Sequence, residues 1–449
     1  MCPARIPAEK RARLAALALH LFCGSAASLL ATPCWSDSAQ DVAAQAPTVE
    51  PATAPASAPG AGRSSWLNPY SAPFIPVPEI AVDPNSGTTL GILPTWLQMD
   101  AHHDISGIIA PDVVHNPYFG YGAHARVLAF PSEDEQWSVA AGAMQRIQRR
   151  FDAEYQIGRQ RDQRWSFTAS LIYDRDGSAR FYGIGNESPA SAETDYTDGQ
   201  ELAQAQIGLN LSHAWQLLYT VRKRFVDVLP GALPDIAPIQ SRFGQVPGLG
   251  NSNELLNRWS IVYDTRDNLA APSRGIAWVT YAGLASRQGV FNDSLYSEAG
   301  MDGRAFWPID QDMILAAHLA LRYLPTAHRL PFWALSNLGG NESEIGGAML
   351  SRGFGTGRFY DRDSFCTNLE VRRKLVSIDF FSTRIDLELA PFVDLGRVFA
   401  QSGTWPLAQL HPAGGFGFRG VARPFVVGYV DVGYGSEGVA VFAGIHYPF

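Results

Sequence analysis

Apolar and polar residues alternate with a period of two in short stretches from Thr88 to the end of the chain. In 311–323, QDMILAAHLALRY, Met313, Leu315, Ala317, Leu319, Leu321 and Tyr323 fall on one face; Ile314, Ala316, His318, Ala320 and Arg322 fall on the other. In 383–389, Ile385, Leu387 and Leu389 alternate with Arg384, Asp386 and Glu388. In 166–174, Phe167, Ala169, Leu171 and Tyr173 alternate with Ser166, Thr168, Ser170 and Asp174. Successive side chains of a strand point to opposite sides, so each stretch has an apolar face and a wet one.

The segments with this character are 88–98, 119–130, 135–144, 149–158, 163–174, 200–213, 215–226, 256–265, 275–285, 296–307, 311–323, 364–376, 382–395, 411–420, 424–433 and 439–448. Clusters of Gly, Asn, Asp and Pro separate them. Segment 275–283, GIAWVTYAG, is apolar on both faces and is placed by spacing alone. Strands of a soluble sandwich also alternate, with the apolar face turned inward. The even number of segments, each roughly ten residues long, predicts instead an all-β fold: a transmembrane antiparallel β-barrel of about 16 strands over 78–449. The long gaps 175–199, 227–255 and 324–363 are then extracellular loops, since periplasmic turns are short.

The N-terminus supports export. Arg5, Lys10, Arg11 and Arg13 precede the apolar run LAALALHLFCGSAASLLA, and small residues follow, as in a secretory signal over 1–35. A membrane anchor is the alternative; His20, Gly24 and Ser25 interrupt the run and favour a signal. Residues 36–77 start with an Ala/Pro/Ser-rich tract without apolar period, which reads as a disordered linker. Cys2, Cys23 and Cys34 lie in the N-terminal segment, leaving Cys366, so disulfides carry no part of the fold. A formal net charge of −8 argues against a nucleic-acid partner.

Chemistry is sparse. The stretch GFGFRG at 415–420 has G-x-G-x-x-G spacing, but strand-like sequence surrounds it, so glycines in a crowded or bent strand explain it better than a dinucleotide site. His102 and His103 are adjacent and would point apart on a strand. Asp361 and Asp363 form a lone acidic pair, too few for a calcium loop. Neither a nucleophile elbow nor a zincin helix is present. No cofactor and no metal are expected. The terminal GIHYPF puts Ile445, Tyr447 and Phe449 on one face, and aromatic residues belong at a membrane interface.

The stretch SRGFGTGRF at 351–359 resembles the R-G-F loop motif of the bacterial surface antigen superfamily, the barrels of BamA, TamA and the two-partner secretion transporters. FVDLG at 392–396 resembles that superfamily's F-x-D-x-G strand motif. FYGIGNES at 181–188, YDTRDN at 263–268 with PSRG at 272–275, and LEVRRKL at 369–375 match its style and order. The resemblance implies an outer-membrane barrel surrounded by lipid and lipopolysaccharide. It also implies a C-terminal signal, here Gly444, Tyr447 and Phe449, read by the barrel assembly machinery; Phe442 departs from the polar residue that signal expects. Periplasmic POTRA modules usually precede such barrels, and the tract before 78 has no room for one, so a short member is expected.

Alternation puts Asp394 on the lumen face with Asp386 and Glu388, and Glu370 with Arg372 and Lys374. A guanidinium entering the lumen would meet carboxylates able to accept paired hydrogen bonds. By resemblance, the 324–363 loop folds into the barrel, Arg352 meets Asp394 and Glu370, Phe354 wedges against the wall, and Gly353, Gly355 and Gly396 allow close packing. The alternative is a solvated loop. By resemblance again, the function is insertion or translocation of a client polypeptide. A plugged or gated channel for small solutes or lipids is the second reading, and a barrel enzyme, lacking any assembled Ser/His site, the third.

Overall fold

The computed structural model describes residues 74–449 except 100–104, 133, 159–160, 269–270, 288–292, 328–329, 381–382, 401–405, 423–425 and 446–448. The signal, the linker, His102, His103 and Tyr447 lie outside the described residues.

Strands follow one another around a cylinder. They are β1 (Phe74–Asp83), β2 (Gly87–Met99), β3 (Ile105–Asn116), β4 (Gly120–Ala129), β5 (Glu135–Met144), β6 (Arg149–Ile157) and β7 (Trp165–Phe181). Next come β8 (Thr194–Asn210), β9 (Trp215–Pro230), β10 (Gly250–Asp264), β11 (Gly275–Ser286), β12 (Ser294–Pro308) and β13 (Met313–Ala327). Three short strands, β14 (Ser336–Leu338), β15 (Ala348–Met349) and β16 (Phe359–Asp361), lie apart. The wall resumes with β17 (Asp363–Phe380), β18 (Thr383–Phe399), β19 (His411–Ala422), β20 (Val426–Gly435) and β21 (Gly438–Ile445). The wall has 18 strands, and β21 pairs back onto β1 antiparallel.

All sixteen expected segments are strands; β1 and β3 are additional. Pro76 and Pro78 interrupt β1, and Gly107 and Pro111 interrupt β3, so both lack the alternation that betrays the rest. β7, β8 and β9 extend beyond their expected ends, which shortens two of the expected loops to 182–193 and 231–249.

The lipid-facing surface is apolar: Ile92, Trp259 and Val439 are 64%, 65% and 66% exposed. Outward Trp137, Trp165, Trp215, Trp278 and Trp307 contribute the aromatic surface expected near headgroups. The inner face is polar and buried, with Arg222, Arg224, Glu254, Arg258, Glu298 and Arg322 among its groups. They pair with one another: Arg222 and Arg224 meet Glu254 at 2.8 and 2.9 Å, and Arg258 meets Glu298 at 2.7 Å. The long connections 182–193, 231–249 and 328–362 emerge at one end, the extracellular one, and short turns such as 309–312 at the other.

The pairing of β1 with β21 closes the wall. Among the described residues it holds one pair in register, Val82 with Ala443. Every other pair of neighbouring wall strands stays in register over at least seven residue pairs.

Candidate functional site in the lumen

The chain between β13 and β17 turns inward and fills the extracellular half of the barrel. It forms a turn of 3-10 helix at Phe332–Ala334 and a small sheet in which β14 pairs parallel with β15 and antiparallel with β16. Phe332, Trp333, Ala334, Leu335 and Tyr360 pack with Phe181, Tyr196 and Val226 of the wall. Its backbone is tied down where it leaves and rejoins the wall: Arg322 Nη1 donates to the Ala334 carbonyl at 3.1 Å, and Ser336 Oγ donates to the Arg362 carbonyl at 3.0 Å.

The tip carries Arg352, wholly buried. Its Nε and Nη2 each donate to the Asp394 carboxylate at 2.9 Å, one to each oxygen, and its backbone N–H donates to Oδ2 at 2.9 Å. Nη1 donates to Glu370 Oε2 at 2.5 Å. The guanidinium lies over the Phe392 ring, 3.5 Å from its centroid. Burial alone would push its pKa down; Asp394 and Glu370 outweigh this and hold it above its ordinary value, so it stays charged.

The neighbours of Arg352 explain its seat. A Cβ on Gly353 would lie 2.5 Å from the Ala413 Cβ and 2.9 Å from the Gly435 nitrogen. That position needs glycine for close approach to the wall. Phe354 is buried, packs with Val398 and Ala413, and meets Phe359 edge-on at 5.3 Å. On the wall, a Cβ on Gly396 would lie 2.6 Å from Leu338 Cδ1. The missing side chain lets β14 sit against β18.

Two further arginines complete the cluster, and sequence reasoning did not assign either to the Arg352 contact. Arg419 Nη2 reaches Glu370 Oε2 at 3.2 Å and its Nη1 binds Asp431. Arg372 Nε donates to Glu370 Oε1 at 3.0 Å. Asp431 Oδ2 also lies 3.6 Å from Arg352. Three guanidiniums thus face three carboxylates in a buried patch where each charge has a partner. Inward parity on β19 and β20 was the available signal, hidden in the GFGFRG stretch; a Cβ on Gly417 would strike the Arg419–Asp431 pair.

Phe449 corrects an expectation. Its ring lies inside the lumen, buried with Phe306, Ala316 and Leu350, and stacks on His318 at 5.5 Å. Arg372 Nη2 donates to its carbonyl at 2.9 Å. An apolar hollow beneath the loop tip and a hydrogen bond from a buried arginine outweigh the period-two placement at the membrane interface. Gly444 pairs with Tyr429 on β20, and a Cβ there would lie 2.9 Å from the tyrosine oxygen.

Other ties fix the loop to distant elements. Arg358 Nε meets Glu437 at 2.8 and 2.9 Å, and Arg358 Nη2 donates to the Ser188 carbonyl at 2.8 Å. Thr356 Oγ1 donates to Asp83 Oδ2 at 2.9 Å. Asn186, from FYGIGNES, accepts from the Val398 N–H at 3.1 Å and donates to the Gln409 carbonyl at 3.0 Å. Asp267, from YDTRDN, accepts from the N–H groups of Ser273 and Arg274 at 2.9 and 3.1 Å. Asp361 and Asp363 accept from backbone N–H groups, and no cluster of three metal-ligating side chains occurs among the described residues.

A family model described as the Omp85 superfamily domain matches residues 133–417. Among solved structures, BamA from Haemophilus ducreyi lacking POTRA domains 1–3 aligns with a TM-score of 0.51 at 11% identity, over 78% of this chain and 74% of that one. CdiB from Escherichia coli aligns with a TM-score of 0.44 at 12% identity, over 82% of this chain and 61% of that one. No curated protein matches the sequence.

Proposed function

Taking as premise that this chain belongs to the Omp85 superfamily of bacterial outer-membrane barrels, we propose that it inserts or translocates polypeptide, acting at the β1–β21 joint. The observation that carries this reading is the single register pair there, Val82 with Ala443. Among the described residues, the β1 edge from Phe74 to Ala81 has no register partner on that side. An exposed strand edge is a template for an incoming strand, whose backbone supplies affinity irrespective of most side chains. A barrel whose joint parts readily offers that edge toward lipid. The proposed role needs no catalytic chemistry.

The buried Arg352 cluster supports a second role for the same molecule. The loop tip, pinned by Asp394 and Glu370, works as a lock that shuts the lumen to solutes. On this view Arg352, Gly353, Phe354, Glu370, Asp394 and Gly396 hold the plug, and polypeptide and lipid are handled at the wall. A gated solute channel is the competing reading, favoured if the plug leaves readily.

The test is a cross-link. Val82→Cys with Ala443→Cys, oxidised in proteoliposomes, should slow insertion of a urea-denatured small outer-membrane barrel, and reductant should restore the rate. Wild-type insertion by the fully oxidised protein would remove the joint from the mechanism.

A further inference from the structure

Beside the plug, at the extracellular mouth, lies a cavity of about 160 Å³ bounded by β7, β8, the β1–β2 turn and the plug. Its lining holds six carboxylates, Asp83, Asp174, Asp176, Asp198, Glu342 and Glu344, of which three lie on β7 and β8. Asp176 on β7 and Asp198 on β8 stand directly opposite each other in the antiparallel ladder, and Asp174 is two residues before Asp176 on the same face. Like charges directly opposite on neighbouring strands destabilise a sheet unless something neutralises them.

Most of the wall's own cations also bind groups outside this set of aspartates. Arg149 donates to the carbonyls of Met144 and Gln148 at 2.6 and 2.7 Å. Arg180 donates to the carbonyls of Ser178 and Asn85 at 2.8 and 2.9 Å, and meets Glu193 at 3.1 Å. Arg224 binds Glu254 at 2.9 Å. Arg150 stands opposite Asp174 on β6 and Arg224 also acts on Asp198, so the lining sets four guanidiniums against six carboxylates.

Three polar atoms of the lining have no hydrogen-bond partner, one of them the Arg224 Nε. Asp198 accepts from Gln200 through Oδ2 at 2.7 Å, while its Oδ1 accepts nothing; the residue is 6% exposed. The Ser86 hydroxyl, also 6% exposed and lining the cavity, is likewise unpartnered. A buried acceptor left unsatisfied is costly, so Asp198 Oδ1 points to a missing donor, and the Ser86 hydroxyl can accept from the same group. Among the described residues no three metal-ligating side chains converge, so the donor set does not suit a chelated metal ion. A cation that brings its own N–H donors does suit it. Trp333, Ala334 and Leu335 give the cavity an apolar side for methylene groups.

We infer that this cavity binds a short alkyl diamine or related polyamine. One ammonium sits between Asp176 and Asp198, and the other reaches Asp174. Alternate residues of a strand stand about 7 Å apart, a span that a four- or five-carbon diamine matches. The site is independent of the β1–β21 joint and of the polypeptide reading.

The experiment is calorimetric titration of putrescine into the full chain in detergent micelles at low ionic strength. Saturable binding of one diamine per barrel is expected, weakened about tenfold by Asp198→Asn and by Asp174→Asn, each of which removes a charge-assisted hydrogen bond. Asp312→Asn, on the exposed periplasmic turn, should leave affinity unchanged. Heat-modifiable gel migration checks that each variant is a closed barrel; the two site variants are tested separately, so failure of one to fold leaves the other. Absence of saturable binding, as a proton shared by Asp176 and Asp198 would produce, overturns the inference. So does wild-type affinity in Asp198→Asn, or equal variant-sensitive binding of magnesium chloride.

Discussion

Arg352 grips Asp394 with both arms of its fork, Nε and Nη2 lying 2.9 Å from the two carboxylate oxygens. Both side chains are wholly buried. A pair of this kind adds little net stability over an apolar substitute, yet removing one partner leaves the other charged and uncompensated. Arg352→Ala should therefore lower the unfolding free energy by roughly 3–5 kcal/mol. It should also raise single-channel conductance in planar bilayers, because the tip is no longer held. Unchanged conductance with a folded barrel would mean that the plug is retained without its arginine.

Arg352→Lys separates charge from geometry. Lysine keeps the positive charge but cannot span both Asp394 oxygens while reaching Glu370. The expected loss is smaller, about 1–3 kcal/mol, with conductance between wild type and Arg352→Ala. Urea titration followed by gel mobility reads the first quantity and bilayer recording the second. A lysine variant indistinguishable from wild type would make the fork geometry irrelevant.

Gly353→Ala leaves every charge in place. The added methyl would lie 2.5 Å from the Ala413 Cβ, against backbone-supported wall that cannot yield easily. The tip should ride up, so this variant should conduct like Arg352→Ala despite keeping its arginine. Accelerated hydrogen exchange confined to 350–356 would report the same displacement.

Phe449→Ala should empty the hollow shared with Phe306, Ala316 and Leu350. Losing a buried aromatic ring costs roughly 3–5 kcal/mol where the surroundings cannot collapse. The urea midpoint should fall, and exchange at Leu350 should rise with it. If only exchange in β20 and β21 changes, the ring acts on the strand and not on the loop.

Most of the wall was legible because lipid outside and charge inside impose opposite demands on alternate residues. His318, Ala320 and Arg322 on one face of β13 illustrate it: all three are buried, while Leu319 and Leu321 between them face outward. β1 and β3 were hidden because Pro76, Pro78, Gly107 and Pro111 erase the alternation locally. The positions of Arg352, Glu370 and Asp394 could be proposed because loop motif and strand parity are both local features. Arg419 and Asp431 escaped because their meeting depends on register between β19 and β20, which no single stretch reveals. Phe449 was misplaced because a buried hollow beside Leu350 and a hydrogen bond from Arg372 override strand parity there.

Phe449 lies under the loop tip, its carbonyl bound by the same Arg372 that holds Glu370. That nesting couples the plug to the wall's other end. The ring forms part of the floor on which the tip rests, and the seated tip supplies the guanidinium that balances Asp394. Corking the bore therefore draws on an aromatic from the far end of the wall: without the Phe449 ring the cylinder would still form, and its stopper would lose its floor.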